Sequence, residues 1–142
     1  MIIRQLSVFL ENRTGRLTEL TGVLAEHDIN ISAFSIADST DYGILRMIVG
    51  KPEIAERVLR ERGFAVKVTD VICLIIPDKP GSLHHALEIL SENGVPVDYM
   101  YAFASAEGRA TVVIRTDEAQ AAIRVLSQHR LELVRAGDIY QL

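Results

Sequence analysis

Leu6-Ser7-Val8-Phe9-Leu10-Glu11-Asn12-Arg13-Thr14-Gly15-Arg16-Leu17 returns 66 residues later as Ile72-Cys73-Leu74-Ile75-Ile76-Pro77-Asp78-Lys79-Pro80-Gly81-Ser82-Leu83. Each copy reads as an apolar strand, a polar pair, a glycine turn and the first leucine of a helix. Few residues are identical between the halves, among them Gly15/Gly81, Leu17/Leu83, Leu24/Leu90, Glu26/Glu92 and Ile48/Ile114. What recurs is the order of elements, and a recurring order is the mark of an internal repeat. It predicts two units, residues 1–68 and 69–142, each near the lower size limit for a self-sufficient core.

Outward from the turn, each half reads strand, helix, strand, strand, helix, strand. In the first half, residues 2–10 are strand-like, and Leu17, Leu20, Val23 and Leu24 recur at the spacing of one buried helix face. Ile29 to Ala33 alternates as a strand does. The cluster from Asp38 through Thr40 to Gly43 is a turn that returns the chain into Ile44–Val49. Pro52 suits a first helical turn, Ile54, Ala55, Val58 and Leu59 make the second helix face, and Phe64 to Val68 is the fourth strand.

The second half repeats this with one extra residue before its last helix. Leu83, Ala86, Leu87 and Leu90 form a helix face, and Val95, Val97, Tyr99, Tyr101 and Phe103 alternate. Ser105 to Arg109 is a hairpin, and Ala119, Ala122, Ile123 and Leu126 face inward from the second helix. Leu131–Val134, with Ile139-Tyr140, finish the sheet. The fold class is α+β: two tandem ferredoxin-like βαββαβ units, each an antiparallel sheet with its helices on one face.

Composition narrows the function. The chain of 142 residues is 49% hydrophobic with a mean hydropathy of +0.20, an excess that reads as shared interface. The longest apolar run, Val71 to Pro77, is too short to span a bilayer, so no membrane role is expected. No secretory signal is read at the start, and one cysteine suits a reducing cytoplasm. Net charge is −4; residues 1–68 balance nine Lys/Arg against nine Asp/Glu, whereas residues 69–142 hold six against ten. Neither half offers the basic stripe that phosphate backbones require, and nucleic acid is not expected as a partner.

The candidate site is the glycine turn. In Asn12-Arg13-Thr14-Gly15-Arg16-Leu17, and again around Asp78, Gly81, Ser82 and Leu83, glycine lets backbone N–H groups approach a ligand. The helix N-terminus behind it presents unpaired donors that suit a carboxylate. Asn12 or Asp78 is placed to accept from an ammonium group. Ser35 and Asp38 add a hydroxyl and a carboxylate at a strand end, with a plain hairpin aspartate as the other reading of Asp38. Tyr101 is a candidate ligand contact, sheet packing being the alternative for the ring series it belongs to. His84-His85 point about 100° apart on a helix and lack further ligands at metal spacing; no metal or cofactor is expected. Cys73, within a strand, reads as a buried small residue without a base beside it.

These motifs carry a resemblance. Strand–[Asn/Asp]-[Arg/Lys]-[Thr/Pro]-Gly-x-Leu–helix, with Asp28-Ile29-Asn30-Ile31 after the helix, resembles the ACT domain, and the copy at Asp78–Leu83 is the closer match. The arrangement is similar to small stand-alone proteins made of two ACT units, and it covers essentially the whole chain. The resemblance implies a regulatory module that binds a free amino acid where two units meet. Its loop at Asn12–Leu17 or Asp78–Leu83 would hold the ligand, and the second strand of a neighbouring unit, around Asn30-Ile31 or Pro96-Val97, would form the far wall. Thr14 replaces the usual proline of the first loop, and Pro96 removes an amide and a donor where Asn30 has its counterpart; the first loop is therefore the expected binder.

Two functions of different class follow. The first is a non-catalytic amino-acid sensor, a homodimer whose response is read by a partner enzyme or regulator. The second is an assembly module whose ligand site is vacant. A small ferredoxin-like enzyme ranks third, because no acid–base pair or metal set converges.

Overall fold

The structure, a computed structural model, describes residues 1–39 and 41–140, with only the backbone for Ala104 and Ser105. Thr40, in the turn cluster read above, lies outside the described residues. The chain divides into two compact units. One comprises Arg4–Thr69 with Gly137–Leu142, the other Met1–Ile3 with Asp70–Ala136.

In the first unit, strand β1 (Ile3–Glu11) is followed by helix α1 (Arg16–Glu26), strands β2 (Ile31–Asp38) and β3 (Tyr42–Val49), and helix α2 (Pro52–Glu61). β3 pairs antiparallel with β1, Leu6 opposite Met47 and Glu11 opposite Tyr42. On its other side β3 pairs antiparallel with β2, Phe34 opposite Met47 and Asp38 opposite Gly43. Facing residues share a side of the sheet, so Leu6, Val8, Leu10, Leu45 and Met47 meet Leu20, Val23 and Leu24 of α1 and Ala55, Val58 and Leu59 of α2 in one core. Strand β4 (Ala65–Pro77) then runs 13 residues, and Val66 and Val68 at its start pack on that core. The two short strands read from sequence are one strand.

The second unit carries β4 onward into helix α3 (Ser82–Glu92), strands β5 (Tyr99–Ala106) and β6 (Arg109–Arg115), helix α4 (Ala119–Gln128) and the short strand β7 (Glu132–Leu133). β6 pairs antiparallel with both β4 and β5, and β7 pairs with β4. Ile72, Leu74, Ile76, Val112 and Ile114 close on Ala86, Ile89 and Leu90 of α3 and on Ala122, Val125 and Leu126 of α4.

Three sequence expectations change. Leu17, read as the first inward residue of α1, is 42% exposed, and the buried residue of that turn is Arg16. The rest of that face is as read, with Leu20, Val23 and Leu24 buried; only in the first turn does the Arg16 stem pack inward in place of Leu17. On α2, Ile54 is exposed and Pro52 buried. Ile139-Tyr140 do not finish a strand: Ala136–Ile139 form a short helix, α5. This tail belongs to the first unit, where Ser32 Oγ donates to the Ile139 carbonyl (3.3 Å) and the Arg4 N–H donates to the Tyr140 hydroxyl (2.8 Å). Gly50 admits the tail, since a Cβ there would lie 3.1 Å from the Tyr140 carbonyl oxygen.

Candidate functional site

The two glycine turns have the same backbone. Gly15 and Gly81 both sit at φ 90° at the N-cap of α1 and α3, a left-handed conformation that favours glycine. In the first turn, Arg13 N–H donates to Glu11 O (2.8 Å), Arg16 N–H to Arg13 O (3.4 Å) and Glu19 N–H to Gly15 O (2.9 Å). In the second, Lys79 N–H donates to Pro77 O (3.0 Å), Ser82 N–H to Lys79 O (3.3 Å) and His85 N–H to Gly81 O (2.9 Å). Each turn is tied to the hairpin beside it, through Asn12 N–H to Asp41 O (3.1 Å) and Asp78 N–H to Gly108 O (2.8 Å). Neither helix has a side-chain cap. Among the described residues no partner takes the N–H of Leu17 or Thr18, nor that of Leu83 or His84. Both corners thus present free donors at the positive end of an 11-residue helix.

The first corner opens on a cleft of about 160 Å³. Asn12, Arg13, Arg16 and Leu17 line one side, with Ile36 and Asp38 from the end of β2 opposite. Arg13 is tied to Glu11 (3.2 Å) at the surface. Arg16 is held from within: its guanidinium lies 3.9 Å from the centroid of the buried Phe64 ring and Nη1 is 3.1 Å from Glu19 Oε2. Its Nε is buried and has no hydrogen-bond partner among the described residues.

The second corner opens on a larger cleft, about 430 Å³. Ile76, Pro77 and Leu131 make its apolar lining, and Lys79, Ser82 and His85 are its polar lining residues. Ser82 Oγ is the only other buried side-chain nitrogen or oxygen without a partner among the described residues. The two unsatisfied atoms therefore stand at equivalent positions, each on the first residue of the helix.

The remaining sequence candidates are dispersed. Thr14 and Gly15 shape the first turn without lining its cleft, as Asp78 does in the second. Asn30 accepts from Gly50 N–H (3.0 Å) through its carbonyl, and Ile31 packs on the first core. Leu83 is half-buried against the second core, although Gly81 and Ser82 line the cleft. Ser35 faces Arg46, which faces Ser7; that register puts Ser35 on the side of the sheet away from the helices, whereas Asp38 shares the side of Leu10. Tyr101 faces Val113, which faces Cys73, and lies likewise on the side away from α3. His85 and Leu131 are cleft residues that sequence reading passed over. The strand-to-helix spacing carried a signal for His85 alone, one turn after Gly81.

Burial pushes the Cys73 thiol from its ordinary 9.0 up to about 12, so it stays protonated and unreactive. His84 Nε2 lies 3.7 Å from Glu88 Oε2 on an exposed helix face. No group of three His, Cys, Asp or Glu among the described residues is placed to hold a metal ion. No helix of the described residues is long and apolar enough to cross a membrane.

The family described as "ACT domain pair" matches residues 1–142. The chain belongs to it. ACT domain pairs are typically regulatory, ligand-binding modules, and the two-unit α+β fold above is theirs. Protein BT0572 from Bacteroides thetaiotaomicron is 46% identical, with a TM-score of 0.96, over 100% of this chain and 98% of its own. The ligand-free regulatory subunit of aspartate kinase from Thermus thermophilus shares the fold at 17% identity and a TM-score of 0.65, over 88% of this chain and 91% of its own. E. coli aspartokinase III, solved in complex with lysine and aspartate, does so at 17% identity and a TM-score of 0.52, over 89% of this chain and 32% of its own. No curated protein matches the sequence.

Proposed function

We propose that this ACT domain pair is a non-catalytic cytoplasmic sensor that binds a free amino acid at its first glycine corner. The observation that carries the reading is the pairing of unbonded α1 amides with Asp38 across one small cleft. The amides suit a ligand carboxylate, and the Asp38 carboxylate suits its ammonium group. About 160 Å³ favours a small side chain. The protein acts as a homodimer, and binding orders the loop and biases the packing that a partner enzyme or regulator reads.

Thermal unfolding of the full chain against a panel of free amino acids at millimolar concentration tests this. A ligand at one hundred times its Kd stabilises by about 2.7 kcal/mol, a shift that is easily seen. Asp38→Asn is expected to abolish it. Absence of any shift with every member of the panel sinks the sensor reading.

The assembly reading draws on a different observation: Phe34 and Ile36 on β2 are 66% and 45% exposed. If Phe34→Asp yields a monomer while no amino acid binds the parent protein, assembly is the better account.

A further inference from the structure

The two corners differ in the charge around them. Glu11 and Asp38 both line the first cleft. No carboxylate lines the second, whose polar lining residues are Lys79, Ser82 and His85. A further cleft of about 370 Å³ shares Ile76, Pro77 and Leu131 with it and adds Arg130. The one carboxylate lining that extension, Glu132, already accepts from Arg109 at 2.7 Å. Asp78 lies outside both linings. The apolar lining is thus accompanied by donors and cations, in the half of the chain that carries the whole negative excess.

The Ser82 hydroxyl supplies the second, independent sign of a ligand. Its oxygen exposes under 1 Å² and bonds to nothing among the described residues, yet Ser82 lines the cleft. A buried hydroxyl left unpaired is costly, and rotated about its Cα–Cβ bond towards the cleft it would bond an anionic oxygen there. The neighbouring free amides of Leu83 and His84 favour the same charge. An ammonium group, by contrast, would enter beside Lys79 with no carboxylate in the lining to receive it.

We propose that the second corner binds an organic anion that has no amine: a carboxylate of the 2-oxo acid type on an apolar body. The carboxylate bonds the α3 amides and Ser82 Oγ, and the body lies over Ile76, Pro77 and Leu131 towards Arg130. The inference rests on the reading that the glycine corners are ligand sites, and it assigns them two ligand classes. The chain then compares an amino acid at one corner with an amine-free acid at the other.

Calorimetric titration of the full chain with leucine, 4-methyl-2-oxopentanoate and inorganic phosphate tests it, since the first two share a carbon skeleton and differ at the amine. The oxo acid is expected to bind, and Ser82→Ala to weaken it about tenfold, the loss of one hydrogen bond to a charged group. Leu131→Phe, which narrows the cleft from its apolar lining, is expected to block it. Asp38→Asn is expected to leave it unchanged. The proposal is overturned if the oxo acid does not bind at millimolar concentration, or if Ser82→Ala and Leu131→Phe both leave its affinity intact. It is equally overturned if phosphate binds as tightly, for then the apolar lining contributes nothing. Leucine binding that Asp38→Asn removes, without oxo acid binding, overturns this inference alone and leaves the amino-acid sensor standing.

Discussion

At the first glycine corner a buried arginine lies over a phenylalanine; at the second, a serine stands beside a leucine and the space is open. Backbone hydrogen bonds at the two turns agree within 0.2 Å from Arg13/Lys79 to Glu19/His85, and the capping glycines share φ 90°. Chain position also matches, Phe64 and Leu131 each leading from a second helix into the strand that follows. What differs is side-chain volume at two places. The corner with Arg16 and Phe64 has a cleft of about 160 Å³, and the corner with Ser82 and Leu131 one of about 430 Å³. A duplicated backbone thus supplies the same donors twice, and the residue after the glycine decides how much room and which charge accompany them.

The halves can be pulled apart by experiment. An effect as large as any is expected at high pH, where Ser7 of one half answers to Cys73 of the other. Unfolded Cys73 ionises near 9 while the buried thiol holds its proton to about 12. The unfolded state therefore sheds a proton first, and stability falls as pH rises from 9 towards 12, by at most roughly 4 kcal/mol. Urea unfolding of Cys73→Ala is expected to show a shallower alkaline loss than the parent; an identical slope removes this asymmetry.

Phe64→Ala comes next. It deletes a ring that is 3% exposed and unseats Arg16, at a cost of about 3–5 kcal/mol. Leu131→Ala, on the partly buried counterpart, is expected to cost less than half as much. Equal losses in chemical denaturation would mean that Arg16 and Phe64 do not act as a plug.

Gly15→Ala and Gly81→Ala sharpen the backbone side of the comparison. A Cβ at either position meets nothing within 4 Å, so the cost is conformational alone, about 1–2 kcal/mol, and the same for both. Unequal midpoints would show that the turns are not energetically equivalent. Smallest is Ser82→Ala without ligand. Removing a buried hydroxyl that has no partner relieves its desolvation cost and is expected to stabilise the unliganded protein by about 1 kcal/mol, whereas removing a satisfied hydroxyl would lower stability.

Local chemistry explains which parts were legible from residues alone. Asn-Arg-Thr-Gly and Asp-Lys-Pro-Gly read as turns because glycine relieves a left-handed φ wherever it occurs, and α1 and α3 follow at the expected place. Alternation likewise pointed to β2 and β5, which begin inside the stretches read from Ile29 and from Val95. Arg16 was not legible as a buried residue, since leucine beside it is the better inward candidate until Phe64 arrives from 48 residues away. Ser35 and Asp38 sit three apart in one strand and so face opposite sides; the register across β3 shows which of those sides meets the cleft.

Sequence by itself determined the duplication, the two glycine turns and the free amides that follow them, because φ preference and helix termination act over a few neighbouring residues. Tertiary structure alone decided that Arg16 fills one corner, that Ser82 and Leu131 leave the other open, and that the tail at Ile139 joins the first unit. Those outcomes depend on which side chains meet across the fold, and close packing between distant segments is not encoded in any local pattern.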